Sequence, residues 1–134
     1  HFSNTNLRSP VIDKRPVNLD IGTIKLPITA YVSILHRASG VALIGAIAIL
    51  LGLLNYSLKS AEDFAAVQAC MASVPMKLLI WAVLAAFIYH LFAGIKHLVM
   101  DMGIGETLEG GKIGSVLALV FAVIGILLAG VWIW

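Results

Sequence analysis

Charge is scarce in this chain. Asp, Glu, Lys and Arg make up 12% of its 134 residues, where soluble domains carry roughly 25%. Hydrophobic residues make up 60%, and mean hydropathy is +1.00. An ordinary soluble domain is excluded, and the composition is that of an integral membrane protein. Cysteine is nearly absent as well. The single Cys70 rules out an intrachain disulfide and a thiolate metal site, and it reads as inert. A net charge of only +2 gives no reason to expect a nucleic-acid partner. The opening stretch HFSNTNLRSPVIDKRPVNLD is polar and holds no apolar signal-peptide core.

What the chain does have is three long apolar runs. A bilayer crossing takes about 20 such residues. The runs extend from about Tyr31 to Tyr56, from Lys77 to Met100 and from Ile113 to Trp134. The expected fold is all-α, with residues 1–29 as an N-terminal segment and residues 30–134 as a three-helix transmembrane domain. Trp132 and Trp134 suit an interfacial anchor at the end of the third run. The links, KSAEDF and DMGIGETLEGGK, are polar or Gly-rich. LDIGTIKLPITA, ahead of the first span and broken by Pro27, reads as a short segment lying at the membrane interface.

Orientation follows from the Lys and Arg distribution. Arg8, Lys14, Arg15, Lys25 and Arg37 precede or open the first span, and Lys96 and Lys112 flank the second loop on the same side. Only Lys59 and Lys77 fall on the other side, so seven of the nine cations share one face. This predicts an N-terminus inside and a C-terminus outside.

Polar residues converge at one depth. Ser33, His36 and Arg37 lie at the inner end of the first span. His90 lies six residues before Lys96, about 9 Å from the inner end of the second span, and His97 is at that end. The outer half has no comparable group. Ser33 and Arg37 share a helix face at i and i+4, with Gly40 further along it. His90, Gly94 and His97 share another at i, i+4 and i+7. The glycines are expected to leave room for a flat ligand. Each residue has a plainer role: an interhelical hydrogen bond for His90, snorkelling for Arg37, back-bonding for Ser33, close helix packing for the glycines, packing for Tyr89. Singly these win or tie. Together, one depth and two faces favour a buried site.

Two ligands fit such a site. Histidine in a helical bundle without cysteine suits haem iron. His90 and His97 point the same way, about 10 Å apart along the helix axis, and His36 is expected at a different depth from His90. A six-coordinate haem would then need a histidine from another subunit, with His36, Arg37 and His97 placed to neutralise its propionates. A quinone also fits, because a hydroxyl and a guanidinium one turn apart offer donors to its carbonyl oxygens in an apolar cleft.

The same residues carry a family likeness. RPVNLDIGTIKLPITAYVSILHRASG, with Arg15, Pro16, Ser33, His36, Arg37 and Ser39, resembles the N-terminal signature of the cytochrome b membrane-anchor subunit of succinate dehydrogenase (complex II), in its proteobacterial form. HLFAGIKHLVMDMG resembles the second signature, with His90, Gly94, His97 and Asp101 in register. The usual arginine before His97 is Lys96 here, which keeps the charge and loses bidentate bonding. The resemblance implies His90 as axial ligand of haem b, with the second histidine from a small partner anchor subunit. It implies Ser33 and Arg37 at a ubiquinone site, and His36 and His97 near the haem propionates. It further implies a flavoprotein subunit and an iron–sulfur subunit docked on the inner face of the bacterial cytoplasmic membrane, succinate as electron source, and a chain that is no catalyst alone. Three other readings stand beside it: an anchor without haem, a fumarate reductase subunit with reversed flow, and a small transporter or channel subunit. The last wants polar residues through the full membrane depth.

Overall fold

The computed structural model describes residues 26–134, and within them every regular element is a helix. Arg15, Pro16 and most of the expected interfacial segment lie outside the described residues. Four helices follow in order: α1 (Ile28–Ser57), α2 (Ala61–Met71), α3 (Val74–Asp101) and α4 (Leu108–Ile133). Three of them, α1, α3 and α4, are long and apolar enough to cross a membrane, and the chain is a multi-pass membrane protein. Each begins ahead of the apolar run that marks it in the sequence, because turn chemistry sets the start. α1 opens directly after Pro27, so Ile28 and Thr29 are helical rather than part of a separate interfacial segment. Pro75 sits in the first turn of α3, where its missing N–H costs nothing. Thr107 caps α4 by accepting from the Gly110 N–H at 3.0 Å.

The end of α3 is equally specified. Gly103 has φ +86°, its N–H donates to Met100 O at 3.0 Å, and the Ile104 N–H reaches back to Val99 O at 3.2 Å. This pair of bonds is a Schellman motif, and glycine supplies the left-handed residue it needs.

The expected polar link after the first span contains a helix that the sequence reading did not place. Ser60 accepts from the Asp63 N–H at 3.0 Å, and Glu62 and Asp63 complement the first-turn dipole of α2. Phe64, Val67 and Met71 of this helix face Leu50, Leu53 and Leu54 of α1 across a hollow of about 340 Å³.

α3 is central, packing against both α4 and α1. Most of the buried residues are small: Ser57 of α1, Ala93 of α3, and Gly111, Ser115, Ala118, Ala122 and Gly130 of α4, with Val32 and Lys96 the larger exceptions. Large residues such as Ile44, Leu51 and Val131 face outward. That inversion of a soluble core is expected in lipid, where backbones gain contact by approaching over small side chains. A Cβ on Gly130 would meet the Trp81 ring at 2.9 Å, and Trp81 Nε1–H donates to Ile126 O at 2.8 Å. One indole thus both fills the notch and binds the α4 backbone.

Candidate functional site

α1 and α3 cross so that residues near the start of one meet residues near the end of the other. Tyr89 shows the pairing: its hydroxyl donates to Val32 O at 2.7 Å, and Val32 is buried. This is the packing role expected of Tyr89. Beside it the two helices exchange histidines. A Cβ on Gly40 of α1 would lie 3.1 Å from His90 Cε1, and a Cβ on Gly94 of α3 would lie 3.2 Å from His36 Nε2. Each imidazole occupies the notch left by the glycine of the other helix. The room expected over these glycines for a flat ligand is therefore taken by the protein's own rings.

The rings meet as well. His36 and His90 are stacked, with centroids 4.2 Å apart and planes 10° from parallel. His97 approaches His36 edge-on at 5.2 Å and 62°. The expectation that His36 lies at a different depth from His90 is incorrect. What keeps the two from flanking one iron is orientation, because stacked rings present their faces to each other.

The contacts of His90 bear on its chemistry. Its Nδ1 lies 3.1 Å from His36 O. A carbonyl oxygen only accepts, so Nδ1 carries the hydrogen, and in the neutral ring Nε2 keeps its lone pair. Ser39 completes the triangle. Its hydroxyl donates to the same His36 O at 2.7 Å, and its oxygen lies 3.1 Å from His90 Nδ1. A histidine that donates one ring N–H to a backbone carbonyl and leaves the other nitrogen bare is the usual arrangement of a metal-ligating imidazole. Among the described residues no three His, Cys, Asp or Glu side chains form a metal cluster.

Ser33 and Arg37 lie on α1 flanking this cluster. Ser33 is half-buried and Arg37 is exposed. Arg37, Lys96 and Asp101 are near enough to His97 to act on it electrostatically. Lys96 itself points away from the histidines. It is only 8% exposed, packed along Gly114 of α4, and lines a hollow of about 390 Å³ with Phe92, Leu117 and Phe121. The structure therefore brings His36, His90 and His97 into one cluster, sets Arg37 at its edge, and turns Lys96 to a different interface. Ser39 is the member that residue-by-residue reasoning did not weigh. Its spacing of three from His36 was the available signal, since a helical Ser reaches back to that carbonyl.

The comparisons with known proteins agree with one another. Residues 12–129 match the family model described as succinate dehydrogenase/fumarate reductase transmembrane subunit. The chain is 43% identical over 122 residues to the succinate dehydrogenase cytochrome b556 subunit of Coxiella burnetii, covering 90% of this chain and 98% of that one. It is 34% identical over 109 residues to the subunit of the same name from Rickettsia felis, covering 81% and 85%. With that of Paracoccus denitrificans it is 30% identical over 95 residues, covering 71% and 73%.

Proposed function

The chain belongs to the succinate dehydrogenase/fumarate reductase transmembrane subunit family, and from that premise we propose that it is a cytochrome b membrane anchor that holds haem b through His90 and helps form a ubiquinone-reduction site. The observation that carries the proposal is the 3.1 Å contact of His90 Nδ1 with His36 O, an acceptor that calls for the hydrogen on Nδ1 and so leaves the lone pair on Nε2. The relatives bear the name cytochrome b556 subunit, which supports haem as the group. Bound to that nitrogen, haem b supplies a one-electron carrier. His36 and His97, in contact with one another, and Arg37 beside them would hold the propionates by hydrogen bonds and charge. His36 presents its ring face to His90 and so is not placed to share the group with it; a second histidine would come from a small partner anchor subunit.

Ser33 and Arg37 are proposed for the quinone. The Ser33 hydroxyl would donate a hydrogen bond to one quinone oxygen. The Arg37 guanidinium would stabilise negative charge on the oxygen as electrons arrive, an effect strong where water is scarce. Both stand near the start of α1, the end that the Lys and Arg distribution along the sequence assigns to the inner side, which supports an inner-face site beside an iron–sulfur subunit and a flavoprotein subunit. The same bias supports the cytoplasmic membrane of a bacterium, with the N-terminus cytoplasmic and the C-terminus periplasmic. On the α1–α3 seam, Ala42, Gly45, Ala46, Met76 and Val83 line a wholly apolar hollow of about 410 Å³, in keeping with helices of a partner anchor subunit packing into a larger bundle. Succinate as donor, rather than fumarate as acceptor, rests on the relatives' names.

A reduced-minus-oxidised visible spectrum of the purified complex tests this reading, with wild type and His90→Leu side by side. A sharp b-type α-band that is lost or altered in the variant supports it. No such band in the wild type reduces the chain to an anchor without haem.

A further inference from the structure

We propose that Ser39 is the positioning residue for His90, fixing its tautomer and tuning its strength as a ligand; this rests on the reading of His90 as the haem ligand. The geometry is a closed triangle of three short contacts. The Ser39 hydroxyl has one hydrogen, and the 2.7 Å bond to His36 O uses it. Toward His90 Nδ1, 3.1 Å away, the same oxygen can then only accept. His36 O also accepts from Nδ1, at 3.1 Å. A single N–H is thus shared between two oxygens, both supplied by one turn of α1.

Two consequences follow. The imidazole is held in one orientation by two acceptors rather than one, in addition to the contact of its Cε1 edge with Gly40. Electron density also shifts from the polarised N–H toward Nε2, making that nitrogen a stronger donor and favouring the more oxidised state of a metal it binds. Removing the Ser39 oxygen leaves His36 O as the sole acceptor. The ring becomes freer and Nε2 a weaker donor. A merely structural serine, back-bonding to its own helix, would change neither property of the haem.

The test compares Ser39→Thr with Ser39→Val in the intact detergent-purified complex, since these side chains share a shape and differ in the hydroxyl. Ser39→Ala and Tyr89→Phe accompany them. Tyr89→Phe removes another α1–α3 bond, one residue from His90, that does not touch its ring. The readouts are the rate of haem transfer to excess apomyoglobin and the haem midpoint potential. The threonine variant is expected to match wild type. The valine and alanine variants should lose haem about tenfold faster, at the lower end of the range for outer-shell partners, and titrate at a more positive potential. Tyr89→Phe should leave both readouts in place. Valine indistinguishable from threonine, or Tyr89→Phe reproducing the valine effect, overturns the role of Ser39 while leaving His90 as ligand. A wild-type complex without haem overturns both readings together.

Discussion

His36 and His90 lie face to face, 4.2 Å between ring centroids, each seated over a glycine of the other's helix. The exchange is reciprocal, so the two notches act as one device. If either glycine gains a side chain, both rings are displaced. Gly94→Ala places a Cβ 3.2 Å from His36 Nε2, a clash that a shift of a few tenths of an ångström relieves. The α1–α3 contact is expected to survive with a small loss of thermal stability. Gly94→Leu cannot be relieved that way. Overpacking of a tight interface costs about 1–3 kcal/mol, and thermal unfolding of the purified complex should show a clearly lower midpoint for leucine than for alanine. Equal midpoints would mean that the glycine notch is not a tight contact in the assembled protein.

Arg37 offers a cleaner separation of roles, because it is exposed and holds none of the interhelical bonds between described residues. Arg37→Ala is expected to reduce quinone reduction by about a hundredfold, the scale for removing one preorganised charge donor. Succinate oxidation by an artificial acceptor should continue, since that route would bypass the proposed quinone site. Quinone turnover at the wild-type rate would remove Arg37 from the site. Ser33→Ala should act in the same direction and more weakly, as a neutral donor does.

The histidine cluster was legible in the sequence as a set and illegible as a geometry. Counting residues from the span ends put His90 and His97 in the inner half, and the i, i+4 and i+7 spacing put them on one face. The relative level of His36 and His90 was not legible because both helices overrun their apolar runs: α1 starts at Ile28 and α3 continues to Asp101, so counting from a span end does not fix which residues of the two helices meet. The glycines misled for a different reason. A sequence shows that space exists above a glycine, and only the neighbouring helix decides whether a ligand or a side chain takes it. α2 went unplaced because its first turn is polar. Its signal was present, in Ser60 with Asp63 three residues on and in Phe64, Val67 and Met71 along one face.

Scaffold and site should also separate by mutation. Trp81 lies far along α3 from the histidines and serves α4 alone among its hydrogen bonds between described residues, with Nε1–H on Ile126 O at 2.8 Å. Trp81→Phe removes that bond and part of the surface packed on Gly130. Interhelical bonds in membranes average about 0.6 kcal/mol, so a loss of stability of about 1 kcal/mol or somewhat more is expected once packing is added. The haem spectrum should not change. A shifted α-band in this variant would show that α4 packing reaches the proposed haem site.

Topology can be read with a reporter the chain already carries. Cys70 is its sole cysteine and is exposed, on α2 between the first two long helices. The cation bias predicts that this link lies outside the membrane, opposite the N-terminus. A membrane-impermeant maleimide should therefore label Cys70 in intact spheroplasts and fail to label it in inverted vesicles. With Cys70→Ser as background, a cysteine at Glu109 should show the reverse, because Glu109 lies in the first turn of α4 on the opposite side. Labelling of Cys70 from the cytoplasmic side alone would invert the whole arrangement. Ser33, His36, Arg37 and His90 would then lie at the outer face, away from the cytoplasmic soluble subunits proposed to deliver electrons, and the quinone assignment would lose its electron source. The labelling pattern thus tests the one premise on which the proposed site and its partners jointly depend.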